Sequence, residues 1–465
     1  MEEKIYRAAH VLVIPYPRQG HINPALQLAK RLASKGLKTT IAITKFIFKT
    51  IQPQPPSSLQ FETISDGFDE RGRFAEAVSV HDYLRKMEAA GSKTLAELIT
   101  KYKNSSNPID CIVYDPFLPW ALEVAKQFGL LGAAFFTQTC AVNYIYYLVY
   151  NGLLKAPVPS TAAPVSIAGL PLLEPQDLPS FVYVAGEYPD YFEMLLSQFS
   201  NTDKADFLLV NTFYKLEDEV VNTMHKICPA LLTVGPTIPS FYLDNRIEND
   251  KDYDLDLLKT DKTICIDWLN ARPKGSVVYV SFGSISSLSH KQMEELAWGL
   301  KQTNFHFLWV VRDSEDLKLP KGFIEETANK GLIVKWSPQL TVLSNEALGC
   351  FFSHAGWNST IEALSLAVPM VVMPLWNDQP TDAKLVQDVW KVGIRVVVEE
   401  NGIVTRDEIE KCVRKVIVGE KAREMKLNAE KWRKLAIEAV SEGGSSDKNI
   451  DEFVSKLGKT SYKYY

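Results

Sequence analysis

Long apolar runs are missing from this chain. In 465 residues no window approaches the ~18 consecutive apolar residues of a spanning helix, which leaves no candidate for a helical membrane anchor. Met1 to His10 carries acidic residues and no apolar core of signal-peptide length, so a cytoplasmic location is expected. Cysteine is sparse. The six (Cys111, Cys140, Cys228, Cys265, Cys350, Cys412) are scattered, several within apolar runs, and form no CxxC pair; free buried thiols in a reducing compartment are expected. Basic charge is not in surplus either. Lys and Arg number 51 against 56 Asp and Glu, a net charge of −5, and this argues against nucleic acid or an anionic membrane surface as partner. No GxGxxG follows the first apolar segment and no GxxxxGK[ST] occurs, so a dinucleotide dehydrogenase and a P-loop enzyme both lose support.

What is present is a regular alternation. The length exceeds one ordinary core and suggests two domains of a little over 200 residues each, and 46% hydrophobic with 23% charged residues is the composition of a globular protein. His10–Pro15 reads as a buried strand. Asn23-Pro24 looks like an N-cap followed by proline at the first helical position, opening a helix that runs to about Lys35-Gly36. Leu37–Thr44 then restores strand character. Ile109–Tyr114, a helix Pro119–Phe128, Gly132–Phe136 and Ala205–Val210 continue the pattern. Strand Ser276–Ser281, helix His290–Gln302 and strand His306–Val311 begin it again, and Val392–Val398 reads as a late strand. Such alternation predicts parallel sheets covered by helices on both faces, hence an α/β protein of two Rossmann-like domains. Pro157–Pro179 reads as a long surface loop. Gly235–Pro239 and the charged run Asp244–Asp261 place the boundary, giving domains 1–245 and 246–443 and a terminal segment 444–465 capped by Ser445-Ser446-Asp447.

The most informative stretch runs from Trp336 to Gln379. It holds Trp336-Ser337-Pro338-Gln339, then Ser353-His354-Ala355-Gly356-Trp357-Asn358-Ser359-Thr360-Ile361-Glu362, and closes on Trp376-Asn377-Asp378-Gln379. Gly349–Phe352 and Val368–Pro374 read as buried parallel strands with a helix, Thr360–Leu366, between them. In such a unit the loop His354–Ser359 falls on the rim where ligands bind. A helix opening there offers unpaired N–H groups and partial positive charge, so phosphate can be held without a cluster of lysines. Towards the N-terminus, His21 follows the first strand and Asp115 ends the strand Ile109–Tyr114. Histidine can serve as a neutral base at cellular pH, and a carboxylate behind it can orient and stabilise the imidazolium. On those residues alone, the better reading is that His21 caps a helix and Asp115 ends a strand.

The stretch Trp336–Gln379 resembles the signature box of the plant family 1 UDP-glycosyltransferases. Pro15-Tyr16-Pro17-Arg18-Gln19-Gly20-His21, Val113-Tyr114-Asp115 and Ser281-Phe282-Gly283-Ser284 extend the resemblance over nearly the whole chain, and it is nearest to the subgroup acting on small aromatic acids, thiohydroximates and steroid-type aglycones. The resemblance implies a GT-B arrangement, two Rossmann-like domains facing one another across a cleft, with the acceptor in the first domain, the UDP-sugar in the second, and a terminal helix crossing back onto the first. It implies His21 as base with Asp115 as its orienting acid. Trp336 would stack on uracil, Ser337 and Gln339 would contact base and ribose, and Glu362 would hold the ribose hydroxyls. The phosphates fall to His354, Trp357, Asn358 and Ser359, with Ser284 nearby. Thr137, Trp376, Asp378 and Gln379 would face the sugar, the terminal glutamine going with glucose. Departures are Ala355 in place of cysteine and Ala367 in place of glycine, both small. Asp252-Tyr253-Asp254 contains a DxD, which in another class of glycosyltransferases holds a metal; within its charged run it reads as a solvated linker face.

The reading that follows is an inverting, metal-independent O-glucosyltransferase without cofactor, using UDP-glucose and a small hydrophobic acceptor, and a monomer. Aromatic residues such as Phe135, Phe136, Tyr144, Tyr147, Phe181, Tyr188 and Tyr191 suit a flat aglycone. Two alternatives stand beside it: transfer to a carboxylate giving a glucose ester, and a nucleotide-sugar binder without turnover. A glycoside hydrolase would need two flanking carboxylates, and no such pair is evident.

Overall fold

The computed structural model describes residues 7–52, 58–72, 77–186, 188–253 and 262–460. Its first half is a seven-stranded parallel sheet in the order β3-β2-β1-β4-β5-β6-β7, built from β1 (His10–Ile14), β2 (Lys38–Thr44), β3 (Leu59–Ile64), β4 (Cys111–Tyr114), β5 (Leu131–Phe136), β6 (Phe207–Val210) and β7 (Leu231–Thr233). The second half is a six-stranded parallel sheet, β10-β9-β8-β11-β12-β13, from β8 (Val277–Ser281), β9 (His306–Val310), β10 (Gly331–Val334), β11 (Leu348–Ser353), β12 (Met370–Val372) and β13 (Gly393–Arg395). Strands buried on both faces explain the unbroken apolar runs. Successive side chains of β1 feed opposite layers: Leu12 and Ile14 enter one core, Val11 and Val13 the other.

Strand order reverses beside β1 in the first sheet and beside β8 in the second, where β4 and β11 lie next to them in register Val11↔Cys111 and Val277↔Leu348. Each reversal leaves a crevice at the carboxyl ends of the strands. The two crevices face each other, and the chain crosses between halves at two places. The first is the segment after Gly235. The second leads from the helix Ala422–Val440 into the helix Ser445–Thr460, which returns to the first sheet. There Ile450, Phe453 and Leu457 complete a core of the first half, and Phe453 meets Phe207 edge-to-face at 4.9 Å. Ser446 Oγ donates to the Gly235 carbonyl at 2.6 Å.

Three local expectations are revised. The first helix, α1, spans Gln19–Ser34, so Asn23 is no cap and Pro24 sits inside the helix; His21 lies in the first turn rather than on a preceding loop. The helix after β11 spans Trp357–Ser365, which puts Asn358 and Ser359 in its first turn. The late strand is only Gly393–Arg395, an edge strand bonded to β12 alone. Where it is described, the charged run is a solvated face only in part: Arg246, Glu248 and Lys251 are exposed, but other members are tied down. Asp250 is 4% exposed and paired with Lys30 at 2.6 Å, Asp244 pairs with Arg31 at 2.6 Å, and Tyr253 is buried. Asp254 and the rest of the run to Asp261 lie outside the described residues.

Ala367 carries a cost that the sequence left open. The Trp357 helix ends in a Schellman motif, with the Val368 N–H on the Ala363 carbonyl at 2.9 Å and the Ala367 N–H on Leu364. The motif's left-handed position is Ala367, at φ 59°, where a Cβ crowds the backbone. Ala367→Gly is expected to stabilise the chain by about 1 kcal/mol, read as a higher chemical-denaturation midpoint, since relief of that crowding outweighs glycine's extra chain entropy.

Candidate active site

The facing crevices enclose a cavity of about 260 Å³ lined from both halves. On the first half, His21 Nδ1 lies 2.6 Å from Asp115 Oδ2, while the other Asp115 oxygen accepts from the Phe117 N–H at 3.1 Å. Asp115 follows β4, its own N–H donating to the Ile14 carbonyl of the neighbouring strand at 2.9 Å, so its position is set by the sheet. The side chain of Asp115 is 3% exposed against 20% for His21. A carboxylate held there fixes the imidazole proton on Nδ1 and leaves Nε2 as the basic atom. The Thr137 hydroxyl, at the end of β5, stands 3.3 Å from His21 Nδ1. Tyr16 and Phe117 flank the imidazole with centroids at 5.3 and 5.1 Å.

On the second half the residues lie at carboxyl ends of strands. Trp336 follows β10, half-buried at the cavity wall, with the Ser337 hydroxyl 2.8 Å from the Tyr279 hydroxyl. Gln339 ties the wall together: its Oε1 accepts from Tyr279 at 3.0 Å, and its Nε2 donates to Ser359 Oγ at 3.0 Å and Glu362 Oε2 at 2.7 Å. Glu362 is 5% exposed, and its second oxygen accepts from the Tyr253 hydroxyl at 2.7 Å. Burial pushes its carboxyl up to about 7 despite those two donors.

The Trp357 helix points its first turn at the cavity, as the chemistry of an anion site requires. His354, Gly283 and Ser284 lie beside it. Gly283, at φ 69°, leaves room for the His354 ring, which a Cβ there would meet at 3.0 Å. Burial and the charge of Arg312 hold His354 down to about 4, so the ring is a neutral hydrogen-bond donor rather than a cation. Arg312 itself donates to the Ser284 carbonyl at 2.6 Å and to that of Ser286, bracing the loop from behind.

Not every expected residue presents its side chain to the cavity in the same way. The Trp357 indole is turned away, donating to the Asn211 carbonyl of the first half at 2.8 Å, so only its backbone N–H is near the site. Asn358 Nδ2 donates to the Gly20 carbonyl at 2.6 Å. Gln379 Oε1 accepts from the Leu375 and Trp376 N–H groups at 2.9 and 3.1 Å, which leaves its amide hydrogens for a ligand. Asp378 accepts from the Trp357 N–H at 3.3 Å and faces Asp382, with burial pushing both carboxyls up. Trp376 is edge-on to Phe181 and Tyr191 of the first half, each at 5.8 Å. Sequence reasoning missed Tyr253, Tyr279, Arg312 and Asp382. Tyr279 gave one signal, a hydroxyl within an apolar strand that must find a partner; Tyr253 and Arg312 depend on contacts distant in sequence, and Asp382 stands one helical turn after Asp378. Among the described residues no group of three or more His, Cys, Asp or Glu side chains is arranged to hold a metal.

The whole chain, and not only this cleft, is similar to known proteins. Residues 254–431 match the family model described as UDP-glucoronosyl and UDP-glucosyl transferase. The chain is 56% identical to UDP-glycosyltransferase 74F2 of Arabidopsis thaliana over 97% of its own length and 99% of the relative's. The chain belongs to the plant UDP-glycosyltransferases. It is also 56% identical to flavonol 7-O-beta-glucosyltransferase UGT74F1 of the same plant, over 96% of this chain and 98% of that one. Among solved structures, Os79 from O. sativa in complex with UDP superposes with a TM-score of 0.91 at 41% identity, covering 96% of this chain and 100% of Os79. This glycosyltransferase therefore takes a UDP-sugar donor and a small-molecule acceptor on a GT-B fold. Among the described residues no helix is long and apolar enough to cross a membrane.

Proposed function

We propose that the enzyme transfers glucose from UDP-glucose to a hydroxyl of a flat hydrophobic molecule, phenolic or steroid-type, with inversion and without a metal or cofactor. The observation that carries the reading is the 2.6 Å His21–Asp115 pair set against the N-terminus of the Trp357 helix. His21 Nε2 takes the acceptor O–H proton as the oxygen bonds to the anomeric carbon. The bond from that carbon to the phosphate oxygen breaks on the opposite face, and UDP departs with the electron pair. Asp115 stabilises the imidazolium that forms. The helix N–H groups, Ser284, Ser359 and the neutral His354 receive the charge developing on the diphosphate.

Trp336 supplies a face for uracil, Ser337 and Gln339 read base and ribose, and Glu362 accepts from the ribose hydroxyls. Asp378 and the amide of Gln379, with Thr137, address the glucose hydroxyls. The acceptor lies against Phe117, beside His21, and against Trp376, which Phe181 and Tyr191 back. The name of UGT74F1 supports a phenolic hydroxyl as target, and the ester-forming reading is the competitor.

Incubation with UDP-glucose and a panel of flavonols, simple phenols, aromatic acids and sterols tests this. A glucoside whose formation depends on UDP-glucose and that survives mild alkali is expected. An alkali-labile product would transfer the assignment to the glucose ester, and UDP binding without product from any acceptor would favour a binding protein.

A further inference from the structure

Pro24 occupies the sixth position of α1. Proline has no N–H, so the carbonyl four residues earlier, that of Gly20, lacks its helical donor. This carbonyl belongs to the peptide that joins Gly20 to His21. It accepts instead from Asn358 Nδ2, 2.6 Å away, on the first turn of the Trp357 helix in the opposite half. A backbone acceptor exposed by proline has thus been met by a side chain 338 residues distant in sequence. Gly20 permits the approach, since a Cβ there would stand only 3.1 Å from the same nitrogen.

We propose that Pro24, Gly20 and Asn358 form a clasp between the two halves that sets the distance from His21 to the anomeric carbon of the bound sugar. The clasp rests on the proposed role of His21. Asn358 carries two amide hydrogens and a carbonyl oxygen, so one N–H on Gly20 leaves the other N–H and the oxygen for the donor. One side chain then touches both the donor and the peptide that bears the base. Pro24 and Asn358 act through that peptide as positioning residues, and Pro24 has no need to touch substrate. Any other residue at position 24 would bring an N–H that competes for the Gly20 carbonyl and returns it to the helix.

Four proteins test the clasp: native, Pro24→Ala, Asn358→Ala and the double variant. Pro24→Ala is expected to lower kcat about tenfold, because a small misalignment of reacting groups is costly. Its KM for UDP-glucose should stay within about twofold, since donor contacts are intact. Its melting temperature should not fall, alanine being the better helix residue. The double variant should be no slower than Asn358→Ala alone, because both changes break one contact. A kcat within about twofold of native for Pro24→Ala, or losses that multiply in the double variant, would overturn the clasp. Should Pro24→Ala fold poorly, Gly20→Ala displaces the Asn358 amide directly; it too must lose kcat selectively, and an unchanged kcat refutes the proposal. Failure of His21 as base would appear separately, as turnover that persists in His21→Ala, whereas the coupling between positions 24 and 358 is read independently of which group is the base.

Discussion

His21→Ala is expected to lower kcat by about 10²–10⁴-fold while UDP still binds, since a positioned general base contributes on that order. The imidazole is partly exposed at the cavity wall and contacts Asp115, Thr137, Tyr16 and Phe117, all of the first half. The residues proposed for UDP lie on the second half, so removal of the ring should leave calorimetric UDP affinity near native. Asp115→Asn keeps the shape and loses the charge; a smaller loss in kcat is expected there, because the asparagine amide can leave the imidazole in the wrong tautomer. Turnover that survives His21→Ala undiminished would dismiss the mechanism, and a collapse of UDP affinity alongside kcat would indicate misfolding instead.

Glu362→Ala is expected to act on the other kinetic constant, raising KM for UDP-glucose by about 10²–10⁴-fold with a much smaller change in kcat. Two hydrogen bonds from ribose hydroxyls to a buried carboxylate are each worth roughly 1.5–3 kcal/mol, and both vanish together. Burial has already pushed this carboxyl up to about 7 without nucleotide. Ribose hydroxyls donate to the ionised form and favour it, so UDP binding should release a proton between about pH 6 and 7 and tighten as pH rises through that range. Calorimetry in two buffers of different ionisation enthalpy reads the proton directly. The linked effect on the free protein has the opposite sign. A carboxyl whose folded value is raised contributes stability that is present below the ordinary glutamate range and is lost as pH rises through about 7. A UDP affinity independent of pH, with no proton released, would remove Glu362 from the ribose site.

Much of this arrangement was legible because buried parallel strands write themselves as apolar runs. His10–Ile14, Cys111–Tyr114 and Val277–Ser281 are found that way, and His21, Asp115 and Ser284 come soon after them in the chain. The start of α1 was illegible for a physical reason. Asn23-Pro24 has the form of a cap, but a proline can sit inside a helix when the carbonyl it exposes finds a donor elsewhere, and here the donor is Asn358. Glu362 reads as an exposed helix residue until Tyr253, beyond the domain break, covers it. The carboxylate pairs at positions 244 and 250 looked solvated because Arg31 and Lys30 stand more than 200 residues away. Likewise nothing in the order of residues shows that the Trp357 indole turns toward Asn211 while its backbone stays at the site.

The returning helix Ser445–Thr460 makes the acceptor half of this enzyme discontinuous in the gene, while the donor half remains one uninterrupted segment. A chimera that joins the acceptor half of one relative to the donor half of another at a single crossover near residue 245 would seat a foreign sheet on the native Ile450, Phe453 and Leu457. The acceptor module has to be transplanted as two pieces, the segment before the first crossing together with the one after the second, and specificity exchanged by a single splice would carry a mismatched core with it.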